Sequence, residues 1–419
     1  MTIYNEINAG KPLIMHIDLN SCFATVEQQA RVRLRGRPVA VVNRRTDMTM
    51  IVTCSYEAKA MGVKMGMRLR DAKKICPDLI GVESDPAKYK YVYHKLLDIM
   101  NDYSAHVTMK SIDEGSIDFT QSPKSLLMGR TLSSVGMEIK QRLRDEIGVA
   151  MRCNIGIATN RFLAKTAANL HKPDGMDVIT ADNLRAVYGT LKLTDLTGIA
   201  GRNELRLNSI GIMTPLQFLD TSSEVLSSMV FQSINGEQWH QRLRGWEVDD
   251  VTYETKRVGR QYVLDGFNMS FNEILQRLHH LCESVGQRMR KQGLSARGIY
   301  VGTRTFGMEG DKRRNYWHAS HVSQTPFFSN ETIYMLAKQL FMSAPPNIRD
   351  INIHCYLLQR EEPSQISLFA DQVARERDVT NAIDEINERY GEHTLHSADT
   401  ISTTNHMKTK IPFGSTRYL

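Results

Sequence analysis

The sequence predicts an α+β protein of several domains, and three observations support this prediction. Its 419 residues are enough for two to four domains. Residues 12–171 contain runs in the order strand, helix, strand, strand, helix, strand, as in a split β-α-β sheet backed by two helices. Residues 181–247 are predicted to be helical throughout, whereas residues 257–360 again mix strands with helices. We therefore expect two α+β regions separated by a helical one.

The first α+β region is predicted to begin with a strand buried on both faces, because the run 12–18 is almost entirely apolar. Further strands are predicted over β-rich runs at 38–43, 50–54, 107–112, 116–119 and 154–157. Helices are predicted at 20–33, 56–61, 70–76, 89–103, 131–147 and 160–171. Residues 22–86 form an insertion after the first strand, which predicts a second lobe.

The second α+β region follows a linker predicted over 248–256. Its predicted strands are 260–264, 298–305 and 350–358, and its predicted helices are 272–291 and 330–342. In the helical region before it, glycine-containing turns at 198–200 and 210–212 flank a short helix. This arrangement is similar to a helix-hairpin-helix motif, which binds a DNA phosphate through backbone N–H groups.

Positive charge is concentrated in the second α+β region. The whole chain has a formal net charge of +7, whereas residues 256–360 carry 15 basic and 7 acidic residues, a net charge of +8. Residues 361–419 carry 6 basic and 10 acidic residues, a net charge of −4. A basic region followed by an acidic tail indicates a nucleic-acid-binding domain with a separate interaction segment.

The cysteines and the chain's first residues favour a cytoplasmic protein. The six cysteines are scattered and form no CxxC pair, so they predict neither a cysteine zinc site nor a disulfide framework. This usage favours a reducing compartment. We see no signal-peptide pattern, and no apolar run approaches the roughly 20 residues of a membrane span. No membrane partner is expected.

Two carboxylate clusters about a hundred residues apart lie at the ends of apolar, strand-like runs. If these strands are neighbours in one sheet, Asp18, Asp113 and Glu114 converge. Because successive strand residues point to opposite faces, we expect residues 113–115 to form a hairpin tip, with Gly115 permitting the turn. Three converging carboxylates repel unless divalent cations neutralise them, and hard oxygen ligands select Mg²⁺, with Mn²⁺ as the alternative ion. Two such ions clamp the attacking and leaving oxygens of a phosphoryl transfer.

The segments 16–24 and 111–118 resemble the catalytic motifs of Y-family (translesion) DNA polymerases of the bacterial UmuC/DinB-like type, and the resemblance extends over nearly the whole chain. It implies a right-hand fold with a ferredoxin-like palm, small fingers, a helical thumb and an additional α+β little finger. The implied domains are palm (1–21 and 87–180), fingers (22–86), thumb (181–247), little finger (257–360) and a C-terminal tail (361–419).

The implied activity is template-directed, Mg²⁺-dependent, low-fidelity DNA synthesis past damaged bases, in DNA repair and the SOS response, with primer-template DNA and dNTPs as substrates. The resemblance assigns Asp18, Asp113 and Glu114 to catalysis and to two Mg²⁺ ions, together with the backbone carbonyl of Leu19. Phe23 stands where the family places its sugar-discriminating aromatic, whose ring would clash with a ribose 2′-OH.

Two further motifs imply contacts to the incoming triphosphate. The run 53–59 resembles the finger motif, in which Thr53 and Tyr56 offer hydroxyl groups. Lys59 stands where many family members carry arginine, and lysine is a point charge without a bidentate fork. The run 156–165 resembles the palm motif, in which Lys165 contacts the β- and γ-phosphates, and 169–175 matches as well.

The basic region resembles the little finger, which grips DNA phosphates. The implied DNA contacts are Arg288, Arg290, Lys291, Arg304, Lys312, Arg313 and Arg314. In the tail, 365–369 resembles the bacterial sliding-clamp-binding peptide, with Gln365 as a polar anchor and Leu368 and Phe369 for an apolar groove. The run 384–391 resembles the tail that serves partner contacts in polymerase V catalytic subunits, so an UmuD-like accessory subunit is a candidate partner.

Two other functions fit parts of the sequence. A catalytically inactive scaffold of the same fold would bind DNA, a clamp and other polymerases, but family members of that kind lose the carboxylates that are present here. A palm-type nucleotidyl cyclase would need neither the basic region nor the clamp-like peptide. Its activity would also be independent of a primer-template.

Overall fold

The computed structural model describes residues 5–44, 46–122, 129–251, 254–264, 269–305, 316–360, 370–403 and 407. It divides into two compact units, one extending to Val251 and the other lying within residues 252–409. The strands in chain order are β1 (Ile14–Leu19), β2 (Val39–Val42), β3 (Ile51–Cys54), β4 (Ile80–Glu83), β5 (Val107–Met109), β6 (Glu114–Asp118), β7 (Cys153–Ala158), β8 (Met176–Val178), β9 (Arg257–Val263), β10 (Leu294–Arg304), β11 (Tyr316–Phe327) and β12 (Asp350–Arg360).

The helices in chain order are α1 (Cys22–Ala30), α2 (Tyr56–Ala60), α3 (Leu69–Ile75), α4 (Pro86–Asn101), α5 (Leu132–Arg142), α6 (Arg161–Leu170), α7 (Leu184–Thr190), α8 (Gly201–Asn208), α9 (Pro215–Asp220), α10 (Ser223–Val225), α11 (Asn235–Leu243), α12 (Phe271–Arg290), α13 (Asn330–Phe341) and α14 (Ala370–Tyr390). Short 3₁₀ or π segments lie at Val32–Leu34, Leu143–Ile147, Leu193–Asp195, Leu226–Val230 and Ala398–Thr403. Within the described ranges, no helix combines the length and the apolar character needed to cross a bilayer.

The first unit is built on a five-stranded sheet with the strand order β5-β6-β1-β7-β8. The strand β1 lies between β6 and β7 and is antiparallel to both. Its alternating side chains separate the two faces of the sheet: Met15 and Ile17 join a core with α4 and α5, whereas Ile14 joins a core with α6. The predicted α+β class and the sheet backed by two helices are confirmed.

A smaller sheet and a helical region complete the first unit. The smaller sheet has the order β3-β2-β4 and shares a core with α2 and α3. Sequence analysis did not identify β4. The helices α7, α8, α9 and α11 share a core with α6, in which the ring of Trp239 from α11 meets that of Phe162 from α6 edge-on, with centroids 5.5 Å apart.

The second unit is a four-stranded antiparallel sheet, β11-β10-β12-β9, packed against α12 and α13. Sequence analysis missed β11 because this edge strand is polar and largely exposed, and so it lacks the alternation of apolar residues that marks a half-buried strand. The sequence suggested that the residues after 360 form a separate tail. In the structure, segment 398–403 packs against α12, and Arg290 of α12 pairs with Asp384 of α14.

Candidate active site

Asp18 and Glu114 face each other across two neighbouring strands. They are paired residues of β1 and β6, and the amide of Leu19 donates to the carbonyl of Asp113 at 2.9 Å. Opposed residues of antiparallel strands carry their side chains on the same face of the sheet. The expectation that the two acidic strands are neighbours is confirmed.

The predicted hairpin tip at 113–115 was wrong in its position. Glu114 and Gly115 both lie in β6, and the turn precedes them. It is closed by bonds from the amides of Lys110 and Ser111 to the carbonyl of Glu114, at 3.0 and 3.2 Å. The turn therefore ends at Asp113. From Glu114 onward the side chains alternate between the two faces of the sheet, as in any strand.

His16 is a site residue that sequence analysis did not assign. Its Nε2 lies 3.2 Å from Glu114 Oε2, and its side chain is almost completely buried. The donor atoms of His16, Asp18 and Glu114 all lie within 4.8 Å of one another. The signal was present in the sequence, because residues i and i+2 of a strand share a face and His16 is a polar residue in an apolar run.

Asp113 lies next to this group in the chain, but it is not among the three residues whose donor atoms lie within 4.8 Å of one another. Its carboxylate accepts a hydrogen bond from the Ser111 hydroxyl at 2.5 Å. Burial raises the pKa of Asp113, the Ser111 bond lowers it, and the charges of Asp18 and Glu114 raise it. The carboxylates of Asp18, Asp113 and Glu114 thus lie close enough to one another for their charges to interact. A set of carboxylate oxygens under mutual repulsion fits a hard divalent cation.

Two lysines are ion-paired with the acidic group. Lys165 Nζ donates to both carboxylate oxygens of Glu114, at 2.7 and 2.6 Å. Burial raises the pKa of Glu114, but His16 and Lys165 outweigh this effect and lower it to about 2. Lys172 Nζ lies 2.6 Å from Asp18 Oδ2. Sequence analysis noted the run that contains Lys172 but gave this residue no role.

Close packing of α6 on the sheet positions Lys165. A Cβ atom at Gly156 would lie 1.9 Å from the carbonyl oxygen of Ala164 and 2.3 Å from the amide nitrogen of Ala168. Only glycine permits this approach. The helix begins at a side-chain cap, in which Asn160 Oδ1 accepts from the Leu163 amide at 2.8 Å.

A buried pair of asparagines positions Lys172. Asn20 Nδ2 donates to Asn154 Oδ1 at 2.9 Å, and Asn154 Nδ2 donates to the carbonyl of His171 at 2.9 Å. Asn20 Oδ1 accepts from the Asp174 amide at 2.8 Å. Both asparagines are nearly inaccessible to solvent. The loop that carries Lys172 is therefore held by bonds on either side of it.

The predicted finger residues lie on β3 and α2. Lys59 Nζ lies 4.4 Å from the centroid of the Tyr56 ring. Burial lowers the pKa of Lys59, and the charge of Lys172 also lowers it, whereas Asp18 raises it. Lys59 is therefore close enough to Lys172 and Asp18 to interact electrostatically with both. Thr53 lies in β3, paired with Val41 of β2.

Phe23 lies in the first turn of α1 and is held rigidly. Its ring stacks on that of Tyr89 from α4, with centroids 4.3 Å apart and planes 15° apart. The Tyr89 hydroxyl donates to Glu27 Oε1 at 3.0 Å. The aromatic pair is thus fixed by both packing and a buried hydrogen bond.

The basic residues predicted to contact DNA differ in their availability. Arg290 is 6% exposed, and it donates to Asp384, to the carbonyl of Phe328 and to Asn330. Its guanidinium is committed to internal bonds, so we leave Arg290 out of the proposed DNA contacts.

Of the remaining predicted DNA contacts, Lys291 is 66% exposed. Arg304 forms an ion pair with Asp350, and Arg288 Nη1 lies 3.5 Å from the carbonyl of Gly259. Lys312, Arg313 and Arg314, and the clamp-peptide residues Gln365, Leu368 and Phe369, lie outside the described residues.

The fold has a counterpart among solved structures. A Y-family DNA polymerase chimera, Dbh-Dpo4(243-245)-Dbh, matches with a TM-score of 0.68 over 83% of this chain and 99% of that chain, at 20% identity. The fold is therefore that of a Y-family polymerase, with palm, fingers, thumb and little finger domains.

Sequence comparisons identify the family. Residues 17–169 match the model of the impB/mucB/samB family, and residues 257–368 match that of its C-terminal domain. The chain belongs to this family, the Y-family polymerases of the DinB-like type.

Among its relatives, a protein of Moorella thermoacetica named DNA polymerase IV is 31% identical over 92% of this chain and 95% of its own length. A DNA polymerase IV of Pelotomaculum thermopropionicum is 30% identical over 91% of this chain and 94% of its own length. A DNA polymerase IV of Bacillus velezensis is 29% identical over 94% of both chains.

Proposed function

We propose that this protein is a DNA-directed DNA polymerase that performs low-fidelity, Mg²⁺-dependent translesion synthesis. The observation that carries the proposal is the acidic group on β1 and β6, faced by Lys165 and Lys172, in a chain of this family. Asp18, Asp113 and Glu114, with the Leu19 carbonyl, are the proposed ligands of two Mg²⁺ ions. When bound, the ions would lower the pKa of the primer 3′-OH and neutralise the triphosphate and the leaving pyrophosphate.

The lysines are proposed to hold the nucleotide in place. Lys165 and Lys172 are ion-paired with Glu114 and Asp18. Incoming phosphates offer both ammonium groups alternative anionic partners, and Lys59 adds a third cation. The lysines would then orient the triphosphate while the carboxylates are released to the metal ions. The hydroxyls of Thr53 and Tyr56 would add hydrogen bonds.

Replacing Lys172 by alanine is expected to raise KM for dNTPs roughly 10- to 100-fold, because a charge-assisted contact contributes about 1.5–3 kcal/mol. DNA affinity should stay near that of the wild type. Steady-state kinetics of single-nucleotide insertion measure the first effect, and fluorescence anisotropy measures the second. Lys64→Ala is the matched control, since Lys64 is an exposed lysine of the same compact unit and has no proposed role in the site. Equal KM values for the two variants would remove Lys172 from the proposed site.

Replacing Phe23 by alanine is expected to increase ribonucleotide insertion relative to deoxynucleotide insertion, on the order of 10²-fold. The Phe23 ring, stacked on Tyr89, is the group proposed to clash with a 2′-OH, and alanine leaves no ring to do so. The ratio of kcat/KM for rNTP and dNTP insertion measures this selectivity. Tyr89→Leu keeps Phe23 and removes its stacking partner, so a smaller loss of selectivity is expected. An unchanged ratio in Phe23→Ala would assign the ring to packing alone.

Primer extension tests the function as a whole. Wild-type protein and the Asp113→Ala/Glu114→Ala double variant would be compared on undamaged and abasic templates, with Mg²⁺ and dNTPs. We expect extension, including insertion opposite the abasic site, by the wild type alone. If both proteins bind DNA and neither extends the primer, the inactive scaffold is favoured. Nucleotide turnover without a primer-template would favour the cyclase.

The cellular setting is part of the same proposal. The segment with Gln365, Leu368 and Phe369 is the proposed sliding-clamp ligand, and an UmuD-like accessory subunit is a proposed partner of the tail. The six cysteines are free and buried, which supports a reducing, cytoplasmic location. A role in the SOS response is part of this proposal, because the resemblance to UmuC/DinB-like polymerases implies it.

A further inference from the structure

A second group of metal-ligating side chains lies in the second unit, outside the polymerase site. His280 and Glu283 are one helical turn apart on α12, so both point to the same side of the helix. His393 follows α14. The donor atoms of the three residues all lie within 4.8 Å of one another, and His280 and Glu283 are buried. No residue of this group was singled out from the sequence.

The hydrogen bonds around His280 define its tautomer. The Thr403 hydroxyl donates its single proton to the carbonyl of Thr400 at 2.6 Å. Thr403 Oγ1 therefore accepts from His280 Nδ1, 3.0 Å away. In a neutral ring with the proton on Nδ1, Nε2 carries a lone pair.

The lone pair of His280 Nε2 has no partner. His280 is 1% exposed, and Nε2 is a buried atom without a hydrogen-bond partner among the described residues. An unsatisfied buried polar atom is costly and calls for an explanation. A bound metal ion would satisfy it, because imidazole nitrogens with the second nitrogen anchored by a hydrogen bond are typical metal ligands.

Glu283 and His393 also have contacts that orient them towards a shared ion. Glu283 Oε1 accepts from the Ser397 amide at 2.8 Å, which orients the carboxylate. Its Oε2 lies 3.4 Å from His393 Nδ1. Two ligands bound to a tetrahedral zinc ion at about 2.0–2.1 Å are about 3.4 Å apart.

The remaining contacts of His393 leave Nδ1 available. The Ser284 hydroxyl donates to the carbonyl of His280 at 3.1 Å, so at its 3.4 Å contact with His393 Nε2 it is the acceptor. With its proton on Nε2, His393 would offer the lone pair of Nδ1 to an ion beside Glu283. When no ion is bound, Nδ1 can instead carry the proton and donate to Glu283 Oε2.

We propose that His280, Glu283 and His393 bind one transition-metal ion, with Zn²⁺ as the preferred ion, and that this ion fastens the segment after α14 to α12. Two histidines and one carboxylate suit zinc and leave a fourth position for water. A small cavity bordered by Glu283, His393 and Asn387 lies beside the group. The His393 ring is stacked on that of His280, with centroids 3.8 Å apart, so binding of one ion by both rings requires the partly exposed His393 to rotate out of the stack.

Metal analysis tests the proposal. Full-length protein without a histidine tag would be purified without chelators, and bound metals would be measured by mass spectrometry. Zn²⁺ affinity of metal-depleted protein would be measured by competition with a chromophoric chelator in excess Mg²⁺. A Co²⁺ titration would report four-coordinate geometry through its visible absorption. We expect one Zn²⁺ per chain and intense Co²⁺ bands.

Variants locate the ion. Glu283→Gln and His393→Ala are expected to lower Zn²⁺ affinity at least about tenfold. His279→Ala is the matched control: this neighbouring histidine of α12 is bonded to Asp399 and lies outside the group, so Zn²⁺ affinity should persist. Glu114→Gln should also retain Zn²⁺, which separates this ion from the polymerase site. Circular dichroism would verify that each variant is folded.

Two results would overturn the proposal. One is the absence of saturable Zn²⁺ binding by the wild type. The other is Zn²⁺ binding that is unchanged in both Glu283→Gln and His393→Ala. As an independent readout, a chelator should speed proteolysis within residues 391–403 of the wild type and leave the rate in His393→Ala unchanged.

Discussion

Replacing Glu114 by glutamine is expected to lower the rate of primer extension on the order of 10²- to 10³-fold or more. Glutamine keeps the size of the side chain but removes the charge of a proposed metal ligand. The substitution also removes the net attraction of Glu114 to His16 and Lys165, so some loss of stability is expected, and circular dichroism at the assay temperature verifies that the variant is folded. Single-turnover extension with saturating DNA and dNTPs measures the effect, and anisotropy with the same primer-template verifies DNA binding.

Asp102→Asn is the matched control for this substitution. Asp102 follows α4 in the same unit, is 62% exposed and pairs with Arg142 at 2.7 Å. A surface ion pair of this kind contributes about 0–1 kcal/mol to stability, so wild-type extension is expected. Wild-type rates in Glu114→Gln would contradict the assignment of the acidic group as the catalytic centre. Equal losses in both variants would point to a general effect of removing charge.

Replacing Gly156 by alanine is expected to destabilise the first unit by about 3 kcal/mol or more. The new Cβ would collide with backbone atoms of α6, the nearest at 1.9 Å, and backbone cannot move aside as a flexible side chain can. The helix would have to shift away from β7, carrying Lys165 with it. Thermal unfolding should show a loss of roughly 6–12 °C, with extension lost even at temperatures where the variant is folded.

Gly201→Ala serves as the control for the glycine substitution. Gly201 begins α8, and a Cβ atom there would meet nothing within 4 Å. Its stability should be unchanged or slightly higher, because alanine has less conformational freedom to lose on folding. If Gly156→Ala unfolded at the wild-type temperature with full activity, the close contact between α6 and β7 would not be what positions Lys165.

Local sequence patterns predicted most of the elements near the site. The apolar run before Asp18 predicted β1, and the helix predicted over residues 160–171 corresponds to α6. A strand and a helix each give a characteristic local spacing of apolar residues, so both can be predicted without knowledge of the tertiary structure. Three strands escaped prediction: β4 and β8 are short and partly buried and pair with strands that precede them by twenty residues or more, and β11 is polar and largely exposed.

The sequence by itself determined the α+β class, the family and the acidic residues near the end of β1 and around the start of β6. These features depend on residue types at fixed local spacing. Only the tertiary structure decided that His16 and Lys172 join the site, that Arg290 is internal, and that a histidine after α14 meets α12. Each of these contacts joins residues far apart in the chain: 98 positions separate His16 from Glu114, and 154 separate Asp18 from Lys172. The local spacing of residues does not predict such contacts, because they depend on which strands and helices pack together.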